Sequence, residues 1–195
     1  MSDLAYSNGE TVSSVSDESG NGYDLSNSGS GPVMVESGLN GNDLVEFQGN
    51  SRLDSPEWSP VSEPYTIFFV TSSYDSPSDG VTMDSAGGSG RAFMARDNPE
   101  WRIWNGGGFN TAFTGDEQEH IITAVYSDSN GKFRYDGSEE TGNSGSNDIT
   151  SIRLGQDNTG ARALEGRVGE VIMYNRSLSS SEITEVESYL SGKWG

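Results

Sequence analysis

Only one stretch of this chain reads as a helix, and everything before it reads as strand and turn. That asymmetry limits the fold more than any other feature. The β-branched and aromatic run Val168–Tyr174 is a strand, ended by Asn175. Ser179 then precedes Glu182 at the spacing of a capping box. Ile183, Val186 and Leu190 recur at helical spacing, which gives a short helix one apolar stripe. Gly192 is placed to stop the helix, and Trp194 to pin the chain end. A helix with a single stripe must lie apolar side down on something, and the rest of the chain offers only sheet.

The apolar residues arrive in short runs. Tyr65–Thr71 (YTIFFVT) is nearly continuous, the pattern of a central strand covered on both faces. His120–Tyr126 is a second strong strand, and Asn130-Gly131 predicts a tight reversal into Lys132–Tyr135. Weaker strands are expected at Glu10–Val15, Val33–Val35, Leu44–Phe47 and Ile149–Leu154. Arg91–Arg96 and Glu100–Trp104 read as a hairpin. In its second arm Trp101 and Ile103 share one face, and Arg102 and Trp104 the other, before Gly106-Gly107-Gly108 breaks the strand. Asp54–Pro64, Asp75–Gly90 and Glu139–Asp148 read as loops, and Asp157–Ala161 as a turn. Roughly a dozen short strands with this turn spacing predict an all-β, two-sheet antiparallel sandwich with one short C-terminal helix. A length of 195 residues fits a single such domain, 1–195.

Net charge is the strongest compositional signal, at −19, and Lys132 and Lys193 are the only lysines. An acidic, lysine-poor surface suits very high salt, where dense ions screen the self-repulsion. The same charge argues against nucleic acid, because a duplex binder needs a basic face. No cysteine is present, which excludes disulfides and thiolate metal sites. No apolar run approaches membrane-spanning length, so no membrane insertion is expected. The opening MSDLAYSNGE has neither the basic start nor the apolar core of a signal peptide.

Three stretches resemble a known family. The first is the end of the chain: GRVGEVIMYNRSLS, with Tyr174-Asn175-Arg176, followed by the terminal Lys193-Trp194-Gly195. The second is the loop Asp17-Glu18-Ser19-Gly20-Asn21-Gly22-Tyr23-Asp24-Leu25, and the third is GLNGNDLVEFQGNSRLDS from Gly38. Together they resemble the laminin G-like jelly rolls of the concanavalin A-like lectin/glucanase superfamily. One departure is the opening, where Leu4-Ala5-Tyr6 is a thin substitute for the family's apolar first strand. The resemblance implies a jelly-roll sandwich that recognises glycans or cleaves them. A module of this kind without an export signal is either a piece of a longer secreted protein or a component assembled inside a cell, as virion proteins are.

The chemistry for cleavage is thin. Glycoside hydrolysis needs two inward carboxylates about 5 to 9 Å apart. Asp116-Glu117-Gln118-Glu119 and Glu139-Glu140 lie in polar loops, and Glu182, Glu185 and Glu187 on the terminal helix. Glu170 is a lone acid within a strand, expected on the solvent face. His120, the single histidine, opens a strand and reads as an edge residue. No catalytic residue is therefore expected, and binding is left. A sugar site needs an exposed aromatic ring with polar groups beside it. Trp104, Arg102 and Asn105 are the first candidates, with Trp58 and Tyr74 in loops behind them. Asp17, Asn21 and Asp24 could offer oxygens to a hard cation such as Ca2+, although such side chains usually bond their own backbone. The expected protein is a non-catalytic attachment module for a glycan or a host surface protein. It would be a decoration, spike or fibre beside other virion subunits in a salt-loving host system. The alternatives are a secreted lectin-like domain of a larger protein and a glycosidase.

Overall fold

The computed structural model describes residues 4–74, 80–85, 92–97 and 99–195. Among the described residues fifteen strands, one α-helix and a short 3-10 turn at Asp128–Asn130 follow each other. They are β1 (Ser14–Val15), β2 (Leu25–Ser26), β3 (Val33–Leu39), β4 (Asn42–Phe47), β5 (Leu53–Asp54), β6 (Tyr65–Thr71), β7 (Gly80–Asp84) and β8 (Phe93–Asp97). After these come β9 (Glu100–Trp104), β10 (Gly108–Thr114), β11 (His120–Tyr126), β12 (Gly131–Tyr135), β13 (Ser138–Gly142), β14 (Arg153–Leu154), β15 (Gly166–Tyr174) and the helix α1 (Ser180–Trp194). One sheet has eight strands in the order β1-β2-β5-β14-β7-β8-β9-β10. The other has seven, β13-β12-β11-β6-β15-β4-β3. Strand pairing is antiparallel throughout, as the short runs and tight turns predicted.

The main core lies between the sheets. Tyr65, Ile67 and Phe69 of β6 point into it, against Met83, Met94, Trp101, Ile103 and Phe133. Phe68 and Val70 point the other way, into a second cluster under α1 with Leu44, Val125, Leu178, Ile183, Leu190 and Trp194. Burial on both faces is why the sequence of β6 is apolar at nearly every position. The capping box forms as its spacing predicts: Ser179 accepts from the Glu182 N–H while the Glu182 carboxylate accepts from the Ser179 N–H. Gly192 does not end the helix. Trp194 is buried, so the helix continues to it, and Gly195 provides the cap. Gly169 of β15 makes room for the indole, since a Cβ there would meet the Trp194 ring at 2.8 Å.

Several strands depart from the sequence reading. β7 occupies residues expected to be loop, and its surroundings at 75–79 and 86–91 lie outside the described residues. β13 has the polar, exposed composition of a loop, but Asp136 (φ 47°) and Gly137 (φ 83°) make the two-residue reversal that builds it on β12. β9 does end at Trp104 ahead of the three glycines, but a further strand that the sequence reading does not place, β10, begins on the third of them, Gly108. It is the edge of its sheet, so it needs no continuous apolar face. That edge is not open: the Ala112 N–H donates to the Glu140 carboxylate of β13 at 3.1 Å. Phe113 stacks on Phe133 and Tyr135 beside it, at 6.1 and 5.5 Å. Ile149–Leu154 shrinks to β14 and a single bridge from Ile149 to Val61.

Candidate functional site

Alternation along β9 decides which of its residues can meet a ligand. Trp101 and Ile103 are in the core between the sheets. Arg102 and Trp104 therefore lie on the outer face of the eight-stranded sheet, both half-buried. The strand register adds their neighbours. Ala95 and Asn110 lie directly beside Arg102, and Gly108 beside Trp104. Trp104 packs on the buried Val81 and Ala95, which holds its ring against the sheet. Gly108 keeps the ring where it is, since a Cβ there would meet Trp104 Cδ1 at 2.8 Å. Gly108 and Asn110 are exposed. The strip thus combines an indole, a guanidinium and an amide with a bare stretch of backbone.

Asn105 does not join this strip, which corrects the sequence reading. It follows the parity of Trp101 and Ile103, and it is fully buried. Its side-chain nitrogen and oxygen have no hydrogen-bond partner among the described residues. Its backbone shapes the turn: the N–H donates to Gly107 O at 2.7 Å, and the carbonyl accepts from Asn147 N–H at 2.9 Å.

Trp58 and Tyr74 lie elsewhere. The Trp58 indole N–H donates to Ile149 O at 3.1 Å, and its ring meets Tyr23 at 5.0 Å. Tyr74 donates to the Glu46 carboxylate at 3.2 Å, with the Arg167 guanidinium 5.7 Å over its ring. Burial pushes the Tyr74 phenol up to about 12, against the opposing pull of Arg167.

The loop offered for a cation is organised around its own backbone. The Asp17 carboxylate accepts from Ser19 N–H (2.9 Å), Ser19 Oγ (2.8 Å) and Tyr23 N–H (3.0 Å). Asp24 accepts from Asp17 N–H at 2.8 Å, and Asn21 Nδ2 donates to Ser19 Oγ at 2.8 Å. Burial alone would raise the Asp17 carboxyl, but the bonds from Ser19 and Tyr23 outweigh it and hold the carboxyl low. Among the described residues no three His, Cys, Asp or Glu gather at metal-binding distance.

Two residues expected at the surface are structural hubs. Glu170 accepts from Trp194 Nε1 at 2.7 Å, Lys193 Nζ at 2.8 Å and Tyr189 Oη at 3.1 Å, so the lone strand acid faces the helix rather than open solvent. His120 is clamped, with Nδ1 2.7 Å from Asp136 and Nε2 2.7 Å from Asp116, and its ring is stacked 4.3 Å from Tyr135. Beside it, a cleft of about 380 Å³ between β11 and α1 is lined by Glu119, Asp136, Glu187, Ser188 and Trp194 among others. Burial would lower the imidazole, but Asp136 and Asp116 overcome this and raise it above 6.5. A raised histidine stabilises the fold below its unfolded value and ceases to do so as pH rises through the folded one. The melting temperature of the native chain is therefore expected to fall as pH rises past the ordinary imidazole value of 6.5 and through the raised one. His120→Asn should flatten that slope, and an unchanged slope in the variant would show that the clamp is not the cause.

Acids on the eight-stranded sheet also serve the fold. Register aligns Asp54, Arg153 and Asp84 in one lateral row. Asp54 is tied to Arg153 at 2.6 Å and to Arg52 at 3.2 Å. The Asp84 carboxylate, fully buried, accepts from the N–H groups of Ser85 (2.8 Å) and Asn158 (2.9 Å). Asp84 carries no sequence signal of its own, since the polar run Asp75–Gly90 that precedes and surrounds β7 has the composition of a loop.

Two antiparallel sheets packed face to face, with a closing strand and helix, make this a concanavalin A-like sandwich. Residues 47–184 match the laminin G-like family described as the concanavalin A-like lectin/glucanases superfamily, and the chain belongs to that family. Among solved structures it is similar to domain 4 of an extracellular GH43 arabinanase from Geobacillus stearothermophilus, in complex with arabinotriose. The TM-score is 0.69 at 14% identity, over 93% of this chain and 100% of that one. It is also similar to Trypanosoma rangeli sialidase in complex with the inhibitor DANA, with a TM-score of 0.66 at 17% identity over 92% of this chain. The match spans only 32% of the sialidase. A heptameric pentraxin from Limulus polyphemus follows, with a TM-score of 0.56 at 12% identity, over 74% of this chain and 81% of that one. At these identities the likeness is one of fold. Among curated protein sequences none matches the chain.

Proposed function

We propose that the chain is a non-catalytic glycan-recognition module whose ligand lies over Trp104 on the outer face of β9 and β10. The placement of Trp104 and Arg102 together on that face, beside Gly108 and Asn110, carries this reading. An indole can stack on the apolar face of a sugar, while guanidinium and amide groups take its hydroxyls. Gly108 leaves the flank of the ring without a side chain. Support also comes from the arabinanase domain of the same fold, which was solved with arabinotriose. The non-catalytic part of the proposal rests on the engagement of Asp54, Asp84, Glu170 and Glu187 in structural ion pairs or backbone hydrogen bonds.

The proposed setting is an exposed surface: a virion decoration, spike or fibre in a high-salt environment, or a lectin-like part of a secreted protein. The acidic, lysine-poor composition supports the high-salt part. Gene neighbours encoding capsid or tail proteins would favour the virion over the secreted module.

The binding proposal is tested on a glycan array in molar salt, followed by titration of the best ligand. Trp104→Ala is expected to weaken that ligand at least about tenfold, the equivalent of about 1.4 kcal/mol. Trp58→Ala should bind as the native chain does. Failure of the native chain to bind any glycan overturns the reading.

A further inference from the structure

We propose that Asn175 is an acceptor site for N-linked oligosaccharide. The chain has 14 asparagines, and only Asn175 stands in the Asn-X-Ser/Thr pattern that transferases recognise, as Asn175-Arg176-Ser177. The structure places that tripeptide where modification needs it. It forms the connection between β15 and α1, and all three of its residues are exposed.

The turn is pinned by its middle residue. The Arg176 carbonyl accepts from Thr66 Oγ1 at 3.0 Å, and its guanidinium grips the Glu182 carboxylate at 2.8 and 3.2 Å. Leu178, just beyond, is buried in the cluster under the helix. The two residues that take part in transfer are left outside this anchorage. Neither the Asn175 amide nor the Ser177 hydroxyl has a hydrogen-bond partner among the described residues. Other asparagines are engaged. Asn42 and Asn40 donate to Lys193 O at 2.7 and 3.2 Å, and the side chains of Asn27 and Asn143 accept from the N–H groups of Gly29 and Gly145. The one asparagine in the acceptor pattern is thus exposed and has no structural work for its amide to do.

In the transfer step the Asn175 Nδ2 forms a bond to C1 of an oligosaccharide carried on a lipid diphosphate. The bond from C1 to the diphosphate oxygen breaks, the lipid diphosphate leaves, and one amide proton passes to a base of the transferase. No oxidant or reductant is required. β15 belongs to the seven-stranded sheet, and β9 and β10 to the other. An oligosaccharide on Asn175 therefore leaves the Trp104 face open, and the proposal stands independently of what that face binds.

The test is expression of the full chain behind an export signal in a eukaryotic secretory host. The chain is recovered from the medium or from the secretory lumen and examined by intact mass and peptide mapping. One added oligosaccharide is expected, on the peptide containing Asn175, and removable by peptide-N-glycosidase. Asn175→Gln and Ser177→Ala should abolish it, and Ser177→Thr should keep it. A chain recovered from that compartment with Asn175 unmodified overturns the proposal, as does an oligosaccharide that persists in Asn175→Gln.

Discussion

Trp194→Ala is expected to destabilise the fold by about 3–5 kcal/mol, the range for truncating a fully buried tryptophan. Its ring is almost wholly buried, with 1% of its surface exposed, although it lies next to the last residue of the chain. It fills the space over Gly169 against Leu44, so alanine would leave a hole that the glycine backbone cannot collapse to fill. The loss is more than packing. The indole N–H is one of three donors that hold the Glu170 carboxylate, and Lys193 stands 5.3 Å over the ring. Removing the ring strips a donor from a carboxylate whose preferred charged state depends on it. Burial alone would raise the Glu170 carboxyl, and it is the bonds from Lys193 and Trp194 that hold it low. At roughly 2–4 °C per kcal/mol for a chain of this size, the melting temperature should drop by about 6–20 °C. Trp194→Phe, which keeps most of the volume but not the donor, should fall in between. A Trp194→Ala chain that melts with the native one would show that the helix contributes nothing to the stability of the sandwich.

Salt is the second large lever. The melting temperature is expected to rise by roughly 10 °C or more between 0.1 M and 2 M KCl, as the screening length shrinks from about 10 Å to about 3 Å and less. The structure explains why the excess charge of −19 is not relieved within the fold. Arg52 and Arg153 are paired to Asp54, Lys132 and Arg134 to Glu139, Arg167 to Glu46, Arg176 to Glu182, and Lys193 to Glu170. With these basic groups committed to local partners, exposed acids such as Glu18, Glu57 and Glu185 have no ion-pair partner among the described residues, and the excess negative charge is left to the solvent ions. KCl is the salt to use, because sulfate would also stabilise by exclusion from the surface. Equal melting temperatures at both concentrations would sink the idea that this surface is adapted to salt.

The layer plan was legible in the sequence, and the chemistry was less so. β6, β11 and α1 carry their burial in their own periodicity, so one window is enough to read them. β10 and β13 could not be read that way. They are edge strands with one partner each, and their places are set by pairing rather than by apolar content. The Asp136-Gly137 reversal was the available signal for β13. Within the candidate site, alternation correctly separated Arg102 and Trp104 from Trp101 and Ile103. The same rule, continued by one more residue, would have sent Asn105 inward. Its position next to three glycines suggested an exposed turn, whereas the 143–147 segment packs over it. For Glu170 the partners lie some twenty residues on, in the C-terminal helix, and for His120 one is on the 136 turn; the other, Asp116, stands only four residues before it, in a polar loop with no strand periodicity to place it.

Glu140 has a further consequence. β10 flanks the proposed ligand strip and would otherwise offer its unpaired backbone to any neighbouring strand. A carboxylate occupies that position on the Ala112 N–H, so the edge presents negative charge where another chain would have to dock its backbone. Copies crowded side by side on a common support would repel along this flank instead of zipping into a continuous ribbon.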